Sequence, residues 1–250
     1  MLCTTVSALA ALWMALKYLR AMQIETTELK RYWLKTFHLA LCYRGFATSR
    51  SVSDSIRCGQ AAFYCCAYDV ITDWRNFDPS LRLWYENVLT RSVSPKIARL
   101  ALDLYQDDYR NQLKWDGLSR GAVALEFITR LIGNFGELGG RVDLERLGVL
   151  FQIVDDVLDI EDDVCENATN CLRSASRNQY LRTLADFDFR SLSSVLPHAN
   201  ILLLVADRAQ HRARQFLEPG ALEELYCIPS RPSDEIYQEE PRRIAEEISV

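Results

Sequence analysis

Phe151-Gln-Ile-Val-Asp-Asp-Val-Leu-Asp-Ile-Glu-Asp-Asp163 is the stretch on which the reading of this chain turns. Its apolar members Phe151, Ile153, Val154, Val157, Leu158 and Ile160 recur at helical spacing, and on a helix Asp155, Asp159 and Asp163 stand one turn apart on one face. Two carboxylates about 4 Å apart repel by roughly 1 kcal/mol in water and roughly 4 kcal/mol at an effective dielectric of 20, so such a ladder entering a core needs cations. Oxygen-only donors favour Mg2+, Mn2+ or Ca2+ over zinc. Because Mg2+ keeps waters and shares its shell with phosphate oxygens, the stripe reads as half of a site completed by a phosphorylated ligand. The competing reading of an isolated DDxxD is a solvated acidic face. Apolar residues on every side of the ladder weigh against it.

A second acidic pair lies in Ala61-Ala-Phe-Tyr-Cys-Cys-Ala-Tyr-Asp-Val-Ile-Thr-Asp73, where Asp69 and Asp73 again fall one turn apart on a mostly apolar helix. Carboxylates on facing helices of an all-α bundle are one way to build a polynuclear metal site in a core. Up the helix from Asp69 come the small residues Ala62, Cys65 and Cys66, flanked by Phe63, Tyr64 and Tyr68. These predict an apolar cavity with aromatic walls beneath an acidic mouth, although ordinary core packing is the commoner role for any one of them.

Helical periodicity recurs near 5–22, 26–43, 53–75, 80–90, 95–114, 118–138, 143–163, 175–187, 191–217 and 233–248, and no alternating strand run is found. The breaks carry turn residues, among them Phe77-Asp-Pro79, Asp116-Gly117, Gly139-Gly140, Leu196-Pro197 and Pro219-Gly220. With 250 residues, 49% hydrophobic content and few Gly and Pro, residues 1–250 are expected to form a single all-α domain, a helical bundle around a central cavity. The polar segment from Cys165 to Arg177 reads as a surface connection, with ordering over the metal site as its alternative.

A net charge of −5 offers no basic excess for nucleic acid. Eight cysteines without a C-x-x-C spacing, two of them adjacent in an apolar helix, suggest buried free thiols in a reducing, cytoplasmic setting. The apolar run Val6–Leu16 is too short to span a membrane, which takes roughly 20 residues, and no Lys or Arg precedes it as in a signal peptide. It reads as a buried helix, with a peripheral membrane contact as the lesser alternative. The scattered His38, His198 and His211 receive no role.

The segment Gly148-Val-Leu-Phe-Gln-Ile-Val-Asp-Asp-Val-Leu-Asp159 resembles the second aspartate-rich motif of trans-prenyl diphosphate synthases, within the class I isoprenoid synthase superfamily, and it includes the Gly, Phe and Gln that precede the acids there. In Ser119-Arg-Gly-Ala-Val-Ala-Leu125, Arg120 stands where the family places a diphosphate-binding Lys. The likeness covers roughly residues 55 to 165. It implies an isoprenoid synthase-like fold, metal ligands at Asp69, Asp73, Asp155, Asp156 and Asp159 with Asp163 as a further one, and substrate contacts at Arg120, Phe151, Gln152, Tyr64, Cys65, Tyr68 and Arg75. It also implies Mg2+, three ions with Mn2+ as a substitute, and a homodimer.

Departures from the family narrow the reading. Asp69-Val-Ile-Thr-Asp73 is DxxxD, with only Arg75 following, which is closer to squalene and phytoene synthases. The glycine- and arginine-rich stretch that helps hold a second diphosphate is missing, and Lys30-Arg-Tyr-Trp-Leu-Lys35 is its nearest counterpart. One diphosphate site implies a terpene synthase that ionises farnesyl or geranylgeranyl diphosphate, cyclises or quenches the cation and releases diphosphate. In many terpene synthases a C-terminal Arg reaches the diphosphate; Arg208, Arg212 and Arg214 are the candidates here. A prenyltransferase, either chain-elongating or head-to-head, and a noncatalytic helical partner of another synthase are the alternatives.

Overall fold

The computed structural model describes residues 26–49, 51–73, 79–111, 118–166 and 170–226, with the isolated helical positions Val6, Leu9, Ala10 and Trp13. Every regular element among them is helical, so the all-α expectation holds. The α-helices are α1 (Thr26–Tyr43), α2 (Val52–Asp73), α3 (Pro79–Ser92), α4 (Pro95–Asn111), α5 (Leu118–Ile132), α6 (Phe135–Gly139), α7 (Leu144–Glu166), α8 (Arg177–Asp186), α9 (Asn200–Phe216) and α10 (Ala221–Tyr226). Short 3-10 turns occupy Arg44–Phe46, Cys171–Arg173 and Phe189–Ser194. Among the described residues no helix is long and apolar enough to cross a membrane. The helix expected over 233–248 lies outside the described residues, as does most of that over 5–22.

Local chemistry divides two of the expected helices. The run over 118–138 stops at Gly133, whose φ of 95° is open to glycine and strained for other residues. The N–H groups of Gly133 and Asn134 both donate to the Thr129 carbonyl at 3.0 Å, closing α5, and α6 starts afresh. The run over 191–217 is interrupted at Pro197, which lacks an N–H, so α9 begins only at Asn200. Before it, the hydroxyls of Ser191, Ser193 and Ser194 donate to carbonyls three residues back at 2.6, 2.6 and 2.9 Å, competing with an α-helical ladder.

The chain divides into two compact units, residues up to Gln152 with Asp188–Asp207, and Ile153–Phe187 with residues from Arg208 onward. In the first, α2 packs against α1, α3, α4 and α5. Cys58, Ala61, Ala62, Phe63, Tyr64, Cys66, Ala67 and Tyr68 of α2 are all buried. Tyr85 donates its hydroxyl to the Tyr64 carbonyl at 3.3 Å, and the Tyr64 ring stands edge-on to Phe127 at 6.3 Å. Phe151 bridges Phe46 and Phe189, with ring centroids 5.5 and 6.2 Å away. Burial pushes the Cys58 thiol up to about 12 despite the opposing pull of Arg44, so it stays protonated at neutral pH.

A close backbone contact joins α5 to α7 through glycine. A Cβ on Gly121 would meet the Gly148 carbonyl oxygen at 2.3 Å, and one on Gly148 would meet the Gly121 oxygen at 2.5 Å and the Ala122 Cα at 2.6 Å. Backbone therefore lies directly on backbone, a spacing that any side chain would force apart.

In the second unit, Ile153, Val154, Val157, Ile160 and Val164 of α7 are buried, as are Leu181 and Leu184 of α8, Ala209 and Ala213 of α9, and Leu222 of α10. The C-terminal carbonyls of α8 are satisfied by side chains from α9. Gln210 donates to Leu184 and Phe187 at 2.9 and 2.7 Å, and Arg214 donates to Ala185 at 2.8 Å. Tyr226 donates to the Leu172 carbonyl at 2.7 Å, and its hydroxyl is raised above the usual tyrosine value by burial.

Gly148→Ala is expected to lower stability by about 1–3 kcal/mol or more through overpacking, read as a lower urea midpoint with an unchanged slope. Gly136→Ala, whose Cβ would meet nothing within 4 Å, is the matched control and should be neutral or slightly stabilising.

Candidate functional site

The acidic stripe belongs to α7, which is capped by the Asp143 carboxylate accepting the Arg146 N–H at 3.1 Å. Within the second unit the rotation of this helix is set by Ile153, Val157, Ile160 and Val164, spaced to form one buried stripe. That rotation leaves Asp155 and Asp159, one turn apart, on the exposed edge, while Asp163 is half-buried and Asp156 is only 5% exposed. The run read from sequence as one ladder with a neighbour thus has two environments.

Asp156 and Asp163 face the turn that follows the helix. Asp156 Oδ2 accepts the Cys171 N–H at 2.7 Å, in a buried hydrogen bond. Asn170, 4% exposed, donates through Nδ2 to the Asp156 carbonyl and to Asp163 Oδ2, both at 2.7 Å. Its Oδ1 accepts the Leu172 N–H at 2.9 Å, capping the 3-10 turn. The segment expected as a surface connection therefore carries a buried turn, with Cys171 and Leu172 at 0% exposure. The partners of Asn170 are the Asp163 carboxylate and the Asp156 carbonyl, 7 and 14 residues away along the chain, a pairing that periodicity does not reveal.

Arg212 of α9 holds the same helix from another side. Nη1 donates to the Leu158 carbonyl at 3.0 Å, Nη2 pairs with Glu161, and the guanidinium lies 5.2 Å from the Phe216 ring centroid. The hydrogen bond from Arg212 holds the Glu161 carboxyl below the usual carboxylate range, with Arg208 adding a weaker pull in the same direction. Arg208 is exposed. Of the arginines expected near a diphosphate, Arg212 and Arg214 make contacts within this unit, to α7 and to the end of α8.

In the first unit, Asp69 and Asp73 occupy the last two turns of α2. Their side chains and the whole of Arg75 lie outside the described residues. Arg120 is half-buried in the first turn of α5. Gln152 is 9% exposed and sits against Gly121, where an added Cβ would come within 2.6 Å of the Gln152 Cβ. Tyr64 and Tyr68 are buried, and Cys65 and Phe151 are half-buried. Among the described residues no group of three or more His, Cys, Asp or Glu side chains is gathered closely enough to hold a metal ion. What α7 offers is a pair of carboxylates, a donor set suited to a hard cation that takes its remaining ligands from water and phosphate oxygens.

Since the Glu161 carboxyl is depressed, its contribution to stability is present above the ordinary carboxylate value and is lost as pH falls below it. Arg212→Ala is expected to cost about 1 kcal/mol at neutral pH, discounted for the exposure of Glu161, and to flatten the loss of stability on acidification. Urea titrations at about pH 7 and about pH 3.5 measure both effects.

A scan of protein-family models found no match to this chain, and searches of curated proteins and of solved structures found none either.

Proposed function

We propose that the chain is a class I terpene synthase, working in the cytoplasm on one allylic prenyl diphosphate such as farnesyl or geranylgeranyl diphosphate. The observation that carries this reading is the stretch Gly148–Asp159 together with the exposed one-turn pair Asp155 and Asp159 that it presents on α7. Two carboxylates and a phosphorylated ligand fit Mg2+, and Mn2+ in its place, because both take oxygen donors. Bound there, the ions would neutralise charge building on the departing diphosphate.

The chain's own residues supply the rest of the mechanism. Asp155 and Asp159 would hold the cations on α7, and Asp69 and Asp73 would be a second pair of ligands. Arg120 pairs with diphosphate oxygens, opposing the charge left by C–O cleavage. The aromatic residues Tyr64, Tyr68 and Phe151 belong to an apolar region of the first unit of the kind that keeps water from an allylic cation, and their π faces stabilise positive charge. A central cavity bounded by such residues is part of the proposal. The buried Cys58 thiol, held protonated, suits a reducing compartment.

Purified chain incubated with Mg2+ and each allylic diphosphate is expected to release diphosphate together with a hydrocarbon or alcohol identified by mass spectrometry. Asp69→Ala and Asp155→Ala should each reduce turnover by at least ~100-fold with helical content intact, the scale expected when a transition-state charge loses its stabiliser. Turnover that requires isopentenyl diphosphate, or coupling of two identical substrates, would make the chain a prenyltransferase. No metal-dependent turnover would leave a noncatalytic partner subunit.

A further inference from the structure

We propose that the buried guanidinium of Arg44, beside the first turns of α2, is the binding site of a chloride ion. The site stands apart from the prenyl diphosphate reading and uses none of its residues.

Arginine stays charged at any accessible pH, so a buried one cannot escape the cost of leaving water by shedding its proton. Arg44 is 4% exposed. Its Nη2 donates to the Ser49 carbonyl at 2.6 Å, while Nη1 is enclosed and has no hydrogen-bond partner. Among the described residues no carboxylate forms an ion pair with it. A backbone carbonyl answers one donor and not the charge, and a buried cation lacking a counter-ion is among the costlier arrangements a fold can hold.

The surroundings add positive character. α2 is 22 residues long and starts at Val52, so its amino end carries a partial positive charge of about half a unit. Asp54 is the acid of that first turn, and the Cys58 thiol one turn on feels both Asp54 and Arg44, which puts the three in one neighbourhood. Asp54 has the sign to answer either positive charge, yet its Oδ2 takes the Ser49 hydroxyl, and its N–H donates to Ser51 Oγ at 3.0 Å. It therefore serves the helix end and leaves the guanidinium over.

Size and charge select the ligand. Gly45, next to Arg44, packs on α9 so closely that an added Cβ would lie 3.0 Å from the Ala199 Cα, which disfavours a bulky oxyanion. Asp54 repels a dianion more strongly than a monoanion. A single spherical anion matches one guanidinium, accepts from Nη1, and reaches it by way of Ser49, which is exposed and one hydrogen bond away. Held there, it fastens the loop at 44–49 to the start of α2.

Thermal unfolding of the full chain at one fixed ionic strength, in sodium chloride against sodium gluconate, reads the site through linkage. The native chain is expected to unfold about 2–4 °C higher in chloride, with the shift rising with concentration and then levelling off, and bromide is expected to act in its place. Equal midpoints in the two salts overturn the proposal. Arg44→Met, which keeps the apolar stem and removes the charge, should abolish the difference; a difference that persists puts the ion elsewhere and overturns it as well. Asp54→Asn keeps an acceptor for the Ser49 hydroxyl and removes the competing negative charge, so chloride, followed by the broadening of its NMR signal, should bind at least ~3-fold more tightly. Should Arg44→Met not fold, Asp54→Asn decides: unchanged or weaker chloride binding makes Asp54 itself the counter-ion of Arg44, and the proposal fails.

Discussion

Burial of one apolar stripe on α7 is the constraint from which the candidate site follows. Ile153, Val157, Ile160 and Val164 must leave water, and four such side chains supply several kcal/mol at about 1.5–3 kcal/mol each. No arrangement of the acids rivals that term, since exposed carboxylates on a helix interact with one another and with cations at a scale of about 1 kcal/mol. The hydrophobic face therefore dictates the rotation, and the acids occupy whatever azimuth remains. Asp155 and Asp159 fall on the wet side. Asp156, one residue out of phase, falls inside, where a carboxylate is tolerable only with donors, and the Cys171 N–H provides one.

Much of this was legible in the chain. Period-3.6 patterns marked the helices, and the bounds of α1 at 26–43 coincide with the expected ones. What pattern alone mislaid were the interruptions, each due to local backbone chemistry. Gly133 ends α5 through a left-handed backbone, and Pro197 together with a serine-rich stretch delays α9, although hydropathy runs on through both. The two glycines facing each other across α5 and α7 were visible as letters but not as partners, because helical periodicity describes one helix at a time.

The acidic helix shows the same division. That Asp155 and Asp159 share a face follows from spacing, which needs no tertiary information. That Asp156 and Asp163 serve a turn does not, because the bonds arrive from Asn170 and Cys171, whose position depends on how the chain returns after Glu166. A polar, irregular sequence gave no sign that Cys171 and Leu172 would be buried. Likewise Tyr64 and Tyr68 read as cavity lining although core packing is the commoner role for either, and both are buried, with the ring of Phe127 and the hydroxyl of Tyr85 against Tyr64.

The glycine crossing has one more implication, for alignment of the helices along their length. Helices packed through bulky side chains can creep past one another by repacking rotamers. Here a slide of α7 by one turn, about 5.4 Å, would bring either Leu144 or Gln152 onto the spot beside α5 that only a bare Cα can fill. Gly121 and Gly148 thus act as a detent, giving this pair of helices a single longitudinal setting through backbone contact alone.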